Sequence, residues 1–160
     1  MNSTEKRRLE SATAEVRGLI ASARMATLAS LMEGTGDPYA SLVNVASHEG
    51  APVMLLSRLA WHTRNISRDS RACLLIAAAL PGPDALAAPR VSLIGHVRAD
   101  NDERLRETYL TLHPHSRSYA DFADFTYFRL NVETAHYVAG FGQIITIEKP
   151  QLHGQAVERR

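Results

Sequence analysis

The stretch Met25–Ser57, MATLASLMEGTGDPYASLVNVASHEGAPVMLLS, decides the fold. It holds three short runs suited to strands, Met25–Leu31, Tyr39–Ser47 and Pro52–Ser57. Two turn clusters separate them, Gly34-Thr35-Gly36-Asp37-Pro38 and His48-Glu49-Gly50. Glycine adopts positive φ without steric cost and proline presets a turn's φ, so each cluster reverses the chain and pairs its flanking runs as a hairpin. An antiparallel meander follows.

Outward from the meander the pattern alternates little between strand and helix. Upstream, Leu9, Ala12, Val16, Leu19 and Ile20 recur at helical spacing, with Glu5, Glu10 and Arg17 facing water. This predicts an amphipathic helix over Thr4–Ala23, capped by Ser3 or Thr4. Downstream the expected elements are a short helix at Thr63–Ser67, strands at Arg71–Leu80 and Arg90–Ala99, and a helix at Glu103–Leu112 capped by Asp100 or Asn101. A helical turn at Ser118–Phe122 and strands at Tyr127–Val132, Ala135–Val138 and Gln143–Ile147 complete the chain. Arg71–Leu80 has so few polar residues that both its faces should be covered. The strands do not alternate as βαβ units, which predicts a mainly β fold, a closed antiparallel barrel with flanking helices. So small a barrel is filled by its own side chains, and a ligand must sit on its outer wall or between two barrels. Residues 1–148 are expected to form one domain, and 149–160 a loose polar tail.

Composition narrows the function. The 160 residues are 45% hydrophobic and 22% charged with a formal net charge of +1, ordinary values for a soluble domain. A charge so near zero gives no reason to expect nucleic acid or an acidic membrane as partner. Met1–Arg8 is polar with no apolar core behind it, unlike a secretory signal, and the longest apolar run ends at Pro81, short of a membrane span. The cytoplasm is the expected location. The single cysteine, Cys73, lies in an apolar run and reads as a small buried hydrophobe. The seven histidines are scattered and form no metal-ligand motif. Ser41 and Ser57 lack a nucleophile elbow, and Gly140-Phe141-Gly142 follows no βαβ pattern and reads as a bend in a strand. No catalytic acid, base or nucleophile is assigned.

The densest chemistry lies in Leu55–Ile66, LLSRLAWHTRNI, which leaves a strand and enters a short helix. A helix start offers free N–H groups and attracts an anion. Thr63 reads as a cap whose hydroxyl could also bond a phosphate oxygen, and Arg58, His62 and Arg64 as cations beside it. A capped, solvated surface helix explains the same residues. Arg24 and Arg90 each stand at the mouth of an apolar run, positioned to reach a ligand on the barrel wall or to face water.

Arg24–Ala29, Pro38–Val43, Leu56–Asn65 and Pro89–Gly95, in that order, resemble the pyridoxamine 5'-phosphate oxidase-like FMN-binding split barrels. Tyr119–Phe125 and Gly140–Gly142 resemble the haem-utilisation branch of that superfamily. The resemblance implies an antiparallel split β-barrel that pairs as a homodimer with FMN at the interface. It places Arg24, Met25, Ala26 and Thr27 along the isoalloxazine and ribityl chain, and Ser57, His62, Thr63, Arg64 and Asn65 at the phosphate. Arg90 falls at the flavin ring, with Ser41 and Phe141 completing the cofactor set. Two departures stand out: Trp61-His62 replaces an Arg-Lys pair of the oxidases, and Gly142–Ile147 lacks their basic substrate-gripping stretch. Vitamin B6 oxidation is therefore not expected. The expectation is an FMN-dependent oxidoreductase, with a non-catalytic flavin- or haem-binding module as the alternative and a deazaflavin also open.

Overall fold

The computed structural model describes residues 2–79, 84–140 and 142–152. Helix α1, Ser3–Ser22, is capped one residue earlier than expected. The Asn2 side chain accepts the Thr4 and Glu5 N–H groups, and the Glu5 carboxylate accepts the Asn2 N–H, a reciprocal capping box. The strands are β1 Met25–Leu31, β2 Pro38–Asn44, β3 Ala46–His48, β4 Ala51–Ser57, β5 Arg71–Ala77, β6 Arg90–Ala99, β7 Phe125–Val138 and β8 Ile144–Glu148. Helix α2, Trp61–Arg68, joins β4 to β5, α3, Arg104–Leu112, joins β6 to β7, and α4 is the single turn Lys149–Leu152.

All pairings are antiparallel, in the order β2-β1-β5-β6-β7-β4-β3, with β8 also on β7. The two ends of this path are one piece of chain, because only Val45 separates β2 from β3. The buried Val45 turns the strand from one edge of the sheet to the other, and its N–H donates to Arg24 O at 3.0 Å. The barrel thus closes through a bent strand. Its split lies along β7: β4 pairs with Phe125–Arg129 and β8 with Thr134–Val138, leaving residues 130–133 without a partner strand on that edge.

Alternation sends Ala26, Leu28, Leu74, Ile76, Val91, Leu93, Leu130 and Tyr137 into one core. Helix α1 closes one end with Ala12, Val16 and Ile20, and α2 closes the other with Ile66. The buried Tyr137 hydroxyl donates to Glu15 on α1, and burial, reinforced by that carboxylate, pushes the phenol up to about 12. A second apolar cluster packs Leu105, Tyr109 and Leu110 of α3 onto Val53 and Leu55. This makes β4 the strand covered on both faces.

Several expectations need correction. Arg71–Leu80 is not covered on both sides by the described residues of one chain; β5 ends at Ala77 and its outward Cys73, Leu75 and Ala77 carry no element among the described residues, while Leu80 lies outside them. Tyr127–Val132 and Ala135–Val138 are one strand, continuous through a bulge. The cap residue of α3 is Glu103, not Asp100 or Asn101, and its own side chain makes no cap hydrogen bond; the N–H of Arg104 donates to Asp102 Oδ1 at 3.0 Å. The turn expected at Ser118–Phe122 begins earlier, at Pro114–Ser118. The tail is not loose at its start: α4 packs Leu152 into the core, and Arg17 donates to the Leu152 carbonyl at 2.8 Å. No helix among the described residues is long and apolar enough to cross a membrane.

Candidate functional site

Two concavities carry chemistry. The first is a groove of about 650 Å³ on the outer face of β1, β5, β6 and β7. Cross-strand registry sets its floor: Ala29 lies opposite Cys73, and Cys73 opposite Ile94. Burial pushes the Cys73 thiol up, so it stays protonated and behaves as part of this apolar floor. The rim is polar, with His96, Glu133 and His136 on one side.

A one-residue bulge shapes that rim. Ile94 faces Thr134 but Gly95 faces Val132, so Glu133 is an extra residue extruded from the ladder. Gly95 is required there, because a Cβ would sit 2.0 Å from the Asn131 carbonyl oxygen. His96 Nδ1 lies 2.8 Å from Ser70 Oγ and its Nε2 3.9 Å from Glu133 Oε2. His136 Nδ1 lies 3.3 Å from Thr146 Oγ1. Sequence reasoning missed both histidines as site residues. Alternation alone puts His96 on the face of Ser92 and Ile94, but only the β6–β7 register brings His136 onto the same wall.

The second concavity, about 260 Å³, lies against α2 and is lined by Thr63 with Arg58, Arg64, Arg68 and Glu33. Ala60, not Thr63, is the cap residue of α2, and it contributes no side-chain hydrogen bond. Thr63 sits inside the first turn, 2% exposed. Its Oγ1 and the Tyr127 hydroxyl are the two buried side-chain oxygens with no hydrogen-bond partner among the described residues. Arg68 pairs with Glu33 at 2.7 Å, Arg58 donates to Ala123 O at 2.7 Å, and the Arg64 guanidinium lies 5.2 Å from the centre of the Trp61 ring.

The other residues of this segment are engaged with the fold. His62 is half-buried, with Nδ1 3.1 Å from Ser41 Oγ, and burial lowers its pKa, so at neutral pH it supplies no positive charge. Asn65 is buried: its amide donates to Ser30 Oγ at 3.1 Å and accepts the Glu33 N–H at 3.2 Å. Ser57 Oγ donates to Asp124 at 2.6 Å and accepts the Leu59 N–H.

Arg24, Met25 and Arg90 lie at the far end of the barrel. Arg24 donates to Leu112 O at 3.2 Å, and Arg90 to Leu86 O at 2.8 Å. Met25 is exposed, Ala26 points into the core and Thr27 stands on the outer face of β1. Phe141 lies outside the described residues; its neighbours Gly140 and Gly142 have φ of 107° and 81°, the left-handed region glycine tolerates. β6 runs from the Arg90 end to the α2 end over ten residues, about 30 Å. One chain therefore brings Ser41, Ser57, His62, Thr63, Arg64 and Asn65 near each other but leaves Arg24, Met25 and Arg90 apart from them. No set of three or more His, Cys, Asp or Glu side chains arranged to hold a metal ion occurs among the described residues.

A heme-binding protein from Mycobacterium smegmatis superposes with a TM-score of 0.84 at 33% identity, over 89% of this chain and 60% of that one. The chloroplastic non-canonical heme oxygenase HOZ of Arabidopsis thaliana is 31% identical over 109 residues, 66% of this chain. The chain spans only a third, 33%, of that relative's length. A Clostridium acetobutylicum protein related to general stress protein 26, of the pyridoxinephosphate oxidase family, superposes with a TM-score of 0.69 at 16% identity, over 89% of this chain and 98% of that one. At that identity the likeness is of fold alone, and it makes the architecture a split barrel of the pyridoxamine-phosphate-oxidase type. A family model described as the CREG beta-barrel matches residues 7–153. The match spans nearly the whole barrel, and the chain belongs to the CREG β-barrel family.

Proposed function

We propose that the protein binds haem in the groove on the outer face of β1, β5, β6 and β7, as one half of a homodimer. The observation that carries this reading is the groove itself: an apolar floor of Ala29, Cys73 and Ile94 with two imidazoles, His96 and His136, on its rim. A volume of about 650 Å³ is within the range of pockets that take a cofactor-sized ligand. The floor suits the face of a macrocycle, and Arg71, across the β5–β6 ladder from His96 and paired with Asp69 at 2.5 Å, is the cation on that same rim that suits a propionate. The heme-related names of the mycobacterial and Arabidopsis relatives support the same ligand. When bound, haem supplies a redox-active iron; the residues of this chain hold its face, its edge and its charge.

A second copy supplies the missing cover. Leu42 is 71%, Ile94 47% and Leu75 41% exposed, all on the outward side of adjoining strands. Removing apolar surface from water stabilises by about 25 cal/mol per Å², so this wall favours a self-complementary partner. Titrating the purified protein with ferric haem, following the Soret band, tests the ligand. Saturation at one haem per chain or per dimer is expected, and no spectral change at low micromolar haem would overturn the reading.

One observation favours a second reading, FMN. The buried, unpartnered Thr63 hydroxyl beside Arg58, Arg64 and the uncapped start of α2 is suited to a phosphate oxygen. Flavin fluorescence quenching by the protein would support it.

A further inference from the structure

We propose that His96 is the side chain that donates to the haem iron, through Nε2, with Ser70 holding its ring; this rests on the haem reading above. An imidazole that binds a metal through one nitrogen usually makes a hydrogen bond with the other, which fixes tautomer and ring plane. His96 is arranged that way. Its Nδ1 is engaged at 2.8 Å by Ser70 Oγ, and the Ser70 backbone is itself held, its carbonyl accepting the Val97 N–H at 2.8 Å. In the tautomer that donates Nδ1–H to Ser70 Oγ, Nε2 carries the lone pair, and His96 lies on the groove rim. The nearest acid, Glu133, is 3.9 Å away, beyond hydrogen-bond reach. The side chain of His96 is 35% exposed, open enough to meet a ligand and buried enough to be held.

The alternative, His136, is less prepared. It is exposed, and its Nδ1 contact with Thr146 is longer, 3.3 Å. It also cannot share the same iron with His96 of its own chain. His136 stands opposite Ser92, four residues along β6 from His96, about 13 Å apart on one sheet face. The bulge gives the assignment its structural cause: Gly95 lets β6 close on Asn131, and the register slip aims His96 and the extruded Glu133 at one rim.

The test uses ferric haem with the full chain and four variants, His96→Ala, His96→Gln, His136→Ala and Ser70→Ala, each first checked for native circular dichroism. Readouts are the Soret position, the electron paramagnetic resonance of the ferric iron and the iron–imidazole stretch of the reduced form. His96→Ala and His96→Gln should both lose the imidazole-ligated spectrum and bind haem roughly tenfold or more weakly. Added free imidazole should restore the spectrum of the alanine variant. Ser70→Ala should keep the ligand but shift the iron–imidazole stretch, and His136→Ala should match the wild type. Haem bound by His96→Ala with an unchanged spectrum, or loss of the ligated spectrum in His136→Ala instead, overturns the assignment while leaving the haem reading intact. Failure of the wild type to bind haem at all overturns both.

Discussion

The groove on the outer sheet and the concavity against α2 are made of opposite materials. The groove is wide, about 650 Å³, with an apolar floor and two histidines at its rim. The α2 concavity is narrow, about 260 Å³, with three arginines and one buried hydroxyl left without a partner. The groove's unmet requirement is cover for apolar surface, which a large flat ligand or a second barrel satisfies. The concavity's unmet requirement is one hydrogen bond and a negative charge, which a phosphate satisfies. One barrel thus carries an apolar wall and a cationic corner, and the difference lies in which surface is left incomplete.

The most severe way to break this comparison is at the bulge. Gly95→Val forces a side chain into the Asn131 carbonyl, and the ladder must part. A loss of about 3 kcal/mol or more is expected in urea denaturation, with the groove lost as well. A stability change under about 1 kcal/mol would show that the rim does not depend on Gly95. Next in size is the cover. Leu75→Asp with Ile94→Asp places charge on the exposed apolar wall and should weaken self-association by about 2 kcal/mol or more, read as a shift to monomer in sedimentation. A dimer that survives the double variant would move the partner surface elsewhere.

The corner is probed by a shape-conserving change. Thr63→Val removes a buried hydroxyl that has no partner, so the free protein should gain up to about 1 kcal/mol of stability. The same variant should weaken FMN while leaving riboflavin and haem unaffected. Equal losses for FMN and riboflavin would remove the phosphate from this corner.

The smallest effect concerns pH. Burial lowers the pKa of His62 from its ordinary 6.5, so the unfolded chain binds the proton more readily than the folded one. The contribution of His62 is fully present above about pH 6.5 and is lost progressively as pH falls below it. His62→Gln should flatten the decline in stability just below pH 6.5, measured by thermal unfolding across that range. An unchanged slope would assign the acid sensitivity to other groups.

What could be read from the chain was what neighbours in sequence dictate. The Gly34–Pro38 and His48–Gly50 turns, the amphipathic pattern of α1 and the absence of βαβ alternation are local features, and they set the mainly β, antiparallel class. The Leu55–Ile66 corner was legible for the same reason, since one continuous segment carries most of its chemistry. Within it, the cap moved from Thr63 to Ala60, and His62 and Asn65 turned out to be engaged by Ser41 and Ser30. Those partners come from other strands and leave no mark in the segment itself.

The groove was not legible, because nothing local builds it. Its strands lie in the order β1-β5-β6-β7, and a slip of one residue in any pairing would turn its floor to the core. Whether a nearly apolar run is covered once or twice was likewise undecidable locally: Ala51–Leu56 receives α3 on its second face, while the outward face of Arg71–Ala77 receives no element from the described residues of its own chain. Which segments extend, turn and coil follows from the chain alone, since those preferences act over a few residues. Which faces meet water and which imidazoles share a wall follows from packing, since strand register and a one-residue bulge are settled between segments far apart in the chain.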